Sequence, residues 1–450
     1  MQDLAPVRKL ALMALMKRHH GKTDLDRAEY LGVRGAGRDL LQEVVLGVRR
    51  NIFLIDAILQ QHLPARRDAT HAVTLNVLRM GVHDLVFRER VPAAIVVSEC
   101  VDLCGGHRKA RGFVNAILRR VAESITRIDL EAGVIPLDRR TIETAPLRGA
   151  VLSMDVLPDF ATQPAEHLSR RFTLTPWFVA ELLKMLPLEA AAAARAASTR
   201  SRPAFRPRVG GPTLLELADE LRAAGCAEVA IHAPVVAARA PGALRDLKPL
   251  VERRCSVQDA TAAEAAPFLN AAAGERILDL CAAPGGKSLH LAELLADRGT
   301  IVACHRAGRS GAQLLQNIAA SGFQCVQAHD LGADGMRMPE GLFDAVLVDA
   351  PCSNSGVLAK RVDARFRLDA ENIGELARIQ QTLLRRGAER VRPGGRLVYS
   401  TCSVLPQENE AVIKAFLAET PEFTLDAEFT RHPQRTGRDG GYAARLVRKS

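Results

Sequence analysis

At 450 residues the chain is too long for one ordinary domain, and its 48% hydrophobic and 25% charged residues exclude a disordered polypeptide. A net charge of +10 favours polyanionic partners, and residues 1–130 carry +7 of it, with 21 Lys and Arg against 14 Asp and Glu. Nine cysteines, an odd number without regular spacing, argue against a disulfide framework and for the cytoplasm, and neither a cleavable leader nor a run of 18 apolar residues points to a membrane.

The first 127 residues predict helices. Val7, Leu10, Ala11, Ala14 and Leu15 recur at helical spacing, as do Leu40, Leu41, Val44, Val45 and Val48, then Ile52, Ile55, Ile58 and Leu59. The runs Ala72–Val82, Ala93–Leu103 and Arg111–Val121 continue the pattern, giving an all-helical domain over 1–130. Pro136, Pro146, Pro158 and Pro164 then predict a connector with short helical pieces. Leu174–Leu186 reads as a helix and Ala190–Ala197 as a helix end, whereas Ser198–Gly211 is basic and contains proline. Thr213–Ala224 reads as a helix, and Val229–Ile231 and Val235–Ala238 as short strands. Residues 131–254 thus form a connector and a small α+β module. From 255 to 450 strands alternate with helices, with strands at Arg276–Leu280, Thr300–Cys304, Cys325–Ala328, Phe343–Val348 and Arg396–Ser400. That alternation predicts a Rossmann-like parallel sheet covered on both faces.

The segment Asp279-Leu-Cys-Ala-Ala-Pro-Gly-Gly-Lys287 joins the first of these strands to its helix. Adjacent glycines permit a sharp turn and close ligand approach, and such a loop at a strand's carboxyl end marks a ligand crevice. It has neither the Walker spacing nor the dinucleotide spacing. Asp330 and Asp349 end two further strands on the same sheet edge, which points to a nucleoside cofactor. Cys352, in Asp349-Ala-Pro-Cys-Ser353, and Cys402, in Tyr399-Ser-Thr-Cys-Ser403, both follow strands in polar loops. A buried cysteine is ordinarily structural; a reactive one needs partial exposure and positive surroundings, which Lys287 could supply. Cytosine carbon 5 attacks a methyl sulfonium only after a thiolate has added at carbon 6. That chemistry requires a cysteine, an acid near the ring and a route for the carbon 5 proton. Two cysteines and Asp349 fit those needs. Cys100 and Cys104, with His107, have the spacing of helix neighbours, so no metal site is expected; His19-His20 reads as a surface helix end.

With Ser256-Val-Gln-Asp259, Asp279 to Ser288, Asp349 to Ser353 and Thr401-Cys-Ser-Val-Leu-Pro-Gln-Glu-Asn409 in this order, the chain resembles the Fmu/Sun family of RNA 5-cytosine methyltransferases. Through Leu78-Arg-Met-Gly-Val-His-Asp84 and Arg111-Gly-Phe-Val-Asn-Ala-Ile-Leu-Arg119, residues 1–127 resemble a NusB-like RNA-binding fold. The resemblance implies methyl transfer from S-adenosylmethionine to a cytosine in RNA, first of all small-subunit ribosomal RNA; separately, a monomer without a metal is expected. It implies that the middle module also binds RNA. It makes Cys402 the nucleophile, Cys352 the group that assists proton removal and release, Asp349 the partner of the base edge, and Lys287 a neighbour of both. Cys281, Ala282, Ala283, Pro284, Gly285, Gly286 and Lys287 would hold the methionine part of the cofactor, with Asp349 close by, and Asp330 its adenine.

Departures from the family pattern exist. An acid normally follows the second strand and grips the cofactor ribose; here the position is His305, and no Asp or Glu occurs from Arg298 to His329. That substitution motivates an alternative, an RNA-binding assembly factor with a degenerate methyltransferase fold. Another alternative, a DNA cytosine methyltransferase, would use Cys352 as nucleophile. The loop after Cys352 carries Lys360, Arg361, Arg365 and Arg367, which are expected to contact RNA.

Overall fold

The helical periodicity of the first part folds as expected. Helices α1 (Ala5–Met16), α2 (Gly35–Arg50), α3 (Ile52–His62), α4 (Ala72–Phe87), α5 (Ala93–Leu103) and α6 (Arg108–Glu123) bury Leu41, Val44, Ile55, Ile58, Leu78 and Val114 completely in one aliphatic core. The computed structural model describes residues 5–17, 33, 35–63, 71–335 and 337–450; His19 and His20 lie outside them. The chain forms two units, residues 1–199 with 361–367, and residues 200–360 with 368–450.

In the first unit the motif 78–84 has a structural task. Asp84 is fully buried and accepts hydrogen bonds from Arg8 (2.5 Å) and from His83 Nδ1 (3.1 Å). Burial pushes its pKa up, but the His83 hydrogen bond and the charges of His83, Arg8 and Arg88 prevail and hold it down at about 2. Gly81 lets α4 approach α6, because a side-chain carbon there would meet Leu118 at 2.5 Å.

The expected connector is instead a three-stranded antiparallel sheet. β1 (Ile125–Asp129) and β2 (Thr141–Ala145) flank β3 (Arg148–Leu152), with Ile142 and Leu152 reaching the helical core. Pro136 and Pro146 fall between strands, where no ladder donor is lost. Pro164 begins helix α7 (Pro164–Phe172) rather than breaking one, since the first turn needs no N–H from it. Helices α8 (Pro176–Met185) and α9 (Ala190–Ser198) follow. Residues 361–367 belong to this unit, and there Arg365, wholly buried, donates to the carbonyls of Arg50, Phe172 and Ala197 at 3.0–3.1 Å. The expected RNA contact by Arg365 is therefore corrected: its guanidinium caps backbone.

In the second unit, part of the basic segment 198–211 is a strand, β4 (Ala204–Pro207). It lies inside a four-stranded sheet of order β5-β6-β4-β7 with β5 (Ala227–His232), β6 (Val235–Arg239) and β7 (Cys255–Val257). Helix α10 (Leu214–Ala223), capped by Thr213 and Glu216 in a reciprocal box, packs on it. The Ser256–Asp259 motif fastens this sheet to the rest of the unit. Gln258 accepts from Arg206 (2.7 Å) and donates to Gly286 O (3.4 Å), while Arg206 pairs with Glu293 (2.9 Å). Asp259 and Asp439 both bind Lys360, which is therefore not a free RNA contact.

Seven strands form the main sheet, in the order β10 (Val326–Asp330), β9 (Thr300–His305), β8 (Arg276–Asp279), β11 (Phe343–Asp349), β12 (Val391–Thr401), β14 (Gly441–Arg448) and β13 (Phe423–Arg431). The first five are parallel, as expected, and β14 and β13 are antiparallel, so the sheet is mixed. Helices α11 (Ala260–Phe268), α12 (Gly286–Leu294), α13 (Arg309–Ser321), α14 (Ala370–Ala388) and α15 (Glu410–Glu419) belong to the same unit. Among the described residues no helix is long and apolar enough to cross a membrane.

Candidate active site

Parallel strands bring their carboxyl ends to one edge, and β8, β11 and β12 are neighbours there. The register sets Asp349 beside Ser400. Ser400 Oγ donates to Asp349 Oδ1 (2.8 Å), and Lys287 Nζ, from the first turn of α12, donates to Asp349 Oδ2 (2.6 Å). Burial opposes charge on Lys287, but Asp349 outweighs it, so the lysine pKa is raised and the ammonium persists.

Three residues past Asp349 and two past Ser400 stand the cysteines. Their sulfurs are 2.9 Å apart as free thiols, both half-buried. The hydrogen bond with Cys402, followed by burial, pushes the Cys352 thiol well above its ordinary range, so Cys352 keeps its proton. Cys402 also faces Asn354 Oδ1 at 3.4 Å; Asn354, at φ +62°, turns back to donate to the Cys352 carbonyl (3.0 Å). Asparagine tolerates that left-handed conformation better than most residues. The site thus holds a persistent cation, a carboxylate, one thiol held protonated and a second, partly exposed sulfur.

The glycine loop lies beside this cluster. Gly285, at φ +109°, starts α12, and a side-chain carbon there would meet Leu314 at 2.9 Å. Above Gly286 a side-chain carbon would meet nothing within 4 Å. Ala282 N donates to Cys304 O (3.1 Å) and Asn317 to Pro284 O (2.8 Å), which fixes the loop over β9 and α13. Cys281 is half-buried, and burial pushes its thiol pKa far up. Asp279 is wholly buried. One oxygen accepts from Ser288 (2.7 Å) and the other has no hydrogen-bond partner among the described residues; burial is the main cause that pushes its pKa up to about 6. An orphaned buried carboxylate oxygen next to an open glycine turn fits a ligand that carries an N–H or ammonium group.

His305 and Asp330 end β9 and β10 and are register partners. No hydrogen bond or ion pair among the described residues joins them to the cysteine cluster, and the glycine loop lies between in strand order. His305 Nδ1 donates to Arg306 O (3.2 Å), and Asp330 Oδ1 accepts from Gly332 N (3.0 Å).

Residues 266–447 match the family described as 16S rRNA methyltransferase RsmB/F, and residues 5–123 match the NusB family. The crystal structure of PH0851 superposes with a TM-score of 0.73 at 22% identity, covering 99% of each chain. NSun6 from Pyrococcus horikoshii, solved with SFG, gives 0.54 at 18% identity, covering 60% of this chain and 97% of that one. The probable ribosomal RNA small subunit methyltransferase B of Bacillus subtilis is 28% identical over 86% of this chain and 82% of its own. That of Synechocystis sp. is 30% identical over 442 residues, 95% of this chain and 92% of its own. The chain belongs to the small-subunit ribosomal RNA methyltransferase B family. It is therefore an RNA methyltransferase, and the degenerate assembly factor is set aside.

Within this methyltransferase three polar residues escaped the sequence reading. Ser400 and Asn354 touch the cluster directly, and Glu408 lies behind it, fully buried. Ser400 and Glu408 fall inside quoted segments, but serine and glutamate are common near strand ends, so their contacts alone mark them.

Proposed function

We propose that this methyltransferase moves a methyl group from S-adenosylmethionine to carbon 5 of a cytosine in small-subunit ribosomal RNA, through a covalent bond to Cys402. The observation that carries the reading is the pair of half-buried thiols 2.9 Å apart beside the Lys287–Asp349 ion pair. Bound S-adenosylmethionine supplies an electrophilic methyl sulfonium. Cys402, as thiolate, adds to carbon 6 of the flipped base, and the former double-bond electrons take the methyl at carbon 5 as the bond between that methyl and the donor sulfur breaks, leaving a neutral thioether. Asp349 meets the base edge, and Lys287 offsets the negative charge of Asp349 and the thiolate. Loss of the carbon 5 proton to solvent water then restores the ring double bond and expels Cys402. Cys352, held as a thiol at 2.9 Å, protonates or hydrogen-bonds the departing sulfur and assists that step. In this reading residues 1–130 grip RNA, with Arg108, Lys109, Arg119 and Arg120 exposed on α6, residues 131–254 add a second contact, and residues 255–450 perform the chemistry.

The orphaned oxygen of Asp279 and the Gly285–Gly286 turn suit the amino acid end of the cofactor, Asp330 its adenine and His305 its ribose. A carbonyl only accepts, so His305 Nδ1 carries the proton and Nε2 is left to accept one ribose hydroxyl. A carboxylate would accept two. His305→Asp is therefore expected to tighten cofactor binding by roughly tenfold, one charge-assisted hydrogen bond of about 1.5–3 kcal/mol, by calorimetry. Unchanged or weaker binding would remove His305 from the ribose position. The function itself is tested with labelled donor and small-subunit ribosomal RNA: the label is expected in 5-methylcytidine after nuclease digestion. Label on another atom, or none, would reject the reading.

A further inference from the structure

Behind the two thiols lies a carboxylate that no step above uses. Glu408 is fully buried, and its two oxygens accept four hydrogen bonds. Oε1 accepts from Ser353 N (2.8 Å) and Gln380 Nε2 (3.0 Å); Oε2 accepts from Ser353 Oγ and Ser403 Oγ, both 2.5 Å. No cation among the described residues pairs with it. Ser353 directly follows Cys352, and Ser403 directly follows Cys402. One rigid group thus ties together the residues next to both sulfurs, on two loops that leave different strands. Gln380, which also donates to Pro351 O (3.0 Å), braces the same loop from α14. The Glu408 carbonyl accepts from Tyr399 OH (2.6 Å), so the clamp is seated on β12 itself.

The geometry points to Glu408 as a positioning residue that sets the separation of Cys352 and Cys402 by holding the residue after each. This inference deepens the proposed function, and its role in turnover rests on that reading; its geometric part does not. Buried carboxylates without a cation are costly, and four well-directed donors are what makes this one tolerable. Glutamine keeps the shape but has one accepting oxygen, and it turns an NH2 group towards one pair of donors.

The test uses the full-length chain with Glu408→Gln, Ser403→Ala and the double variant. Phenylarsine oxide condenses with two adjacent thiols, forming two As–S bonds and releasing water, so it reports thiol spacing without catalysis. Peptide mass spectrometry is expected to find the arsenical bridging Cys352 and Cys402 in the unaltered protein, and to find the bridge forming roughly tenfold more slowly in Glu408→Gln. Methylation kcat is expected to fall by roughly ten- to a hundredfold, as small misplacements of reacting groups do, with KM for S-adenosylmethionine unchanged. The double variant is expected to be little worse than Glu408→Gln alone, because both changes break one network. If Glu408→Gln does not fold, Ser403→Ala, which removes one of the four contacts, decides in its place. Bridging and kcat both within twofold of the unaltered protein, in a folded variant, overturn the inference. If Cys402→Ala still methylates, the nucleophile assignment fails instead, and the bridging rates continue to test the clamp by themselves.

Discussion

Cys402→Ala is expected to lower methyl transfer by on the order of a thousandfold or more, because loss of a covalent nucleophile removes the pathway and not a single contact. Cofactor binding and thermal stability are expected to stay near those of the unaltered protein. The sulfur is half-buried at the end of β12 and belongs to none of the aliphatic cores formed by the described residues, and the glycine loop is held by hydrogen bonds to Cys304 and Asn317. Single-turnover methylation, calorimetry with S-adenosylmethionine and thermal unfolding separate these effects. A variant that methylates within tenfold of the unaltered protein would remove the covalent route.

Cys352→Ala should behave differently. Turnover is expected to fall by roughly a hundredfold, the scale of a lost proton-transfer partner, but the first chemical step should survive. The protein would then accumulate bound to RNA, visible as a slow band on a denaturing gel that disappears on nuclease treatment. The reason lies in the protonation of the pair: the hydrogen bond with Cys402 and burial keep Cys352 a thiol, 2.9 Å from the sulfur that must leave. Without it the departing thiolate loses its nearest hydrogen-bond donor. Equal loss of adduct and product in this variant would instead assign nucleophilic attack to Cys352.

Much of this was legible in the sequence because periodicity and chain order are local properties. The six N-terminal helices among the described residues follow from their apolar spacing, and the strands ending at Asp349 and Thr401 from the apolar residues within Phe343–Val348 and Arg396–Ser400. The order of Asp279–Ser288, Asp349–Ser353 and Thr401–Asn409 was enough to expect one sheet edge. Short strands were less visible. β1, β2 and β3 are five residues each, with too few alternations to outweigh four prolines, and β13 and β14 lie in a polar tail where alternation is blurred by Arg431, Arg445 and Arg448. The destination of a charge was not visible at all. Lys360 and Arg365 read as RNA contacts from a basic loop, yet one holds two carboxylates and the other caps buried carbonyls. Glu408 shows the same limit from the other side: only three-dimensional contact reveals that one glutamate serves two serines fifty residues apart.

The proposed chemistry depends on which sulfur bonds to the base. Ribosomal RNA carrying 5-fluorocytidine blocks loss of the carbon 5 substituent, so the unaltered protein, given S-adenosylmethionine, should be trapped as a stable adduct with both cysteines present. Digestion and peptide mass spectrometry are predicted to place the nucleotide on the peptide that holds Cys402. The nucleotide on the Cys352 peptide, or no adduct while normal RNA is methylated, would contradict it.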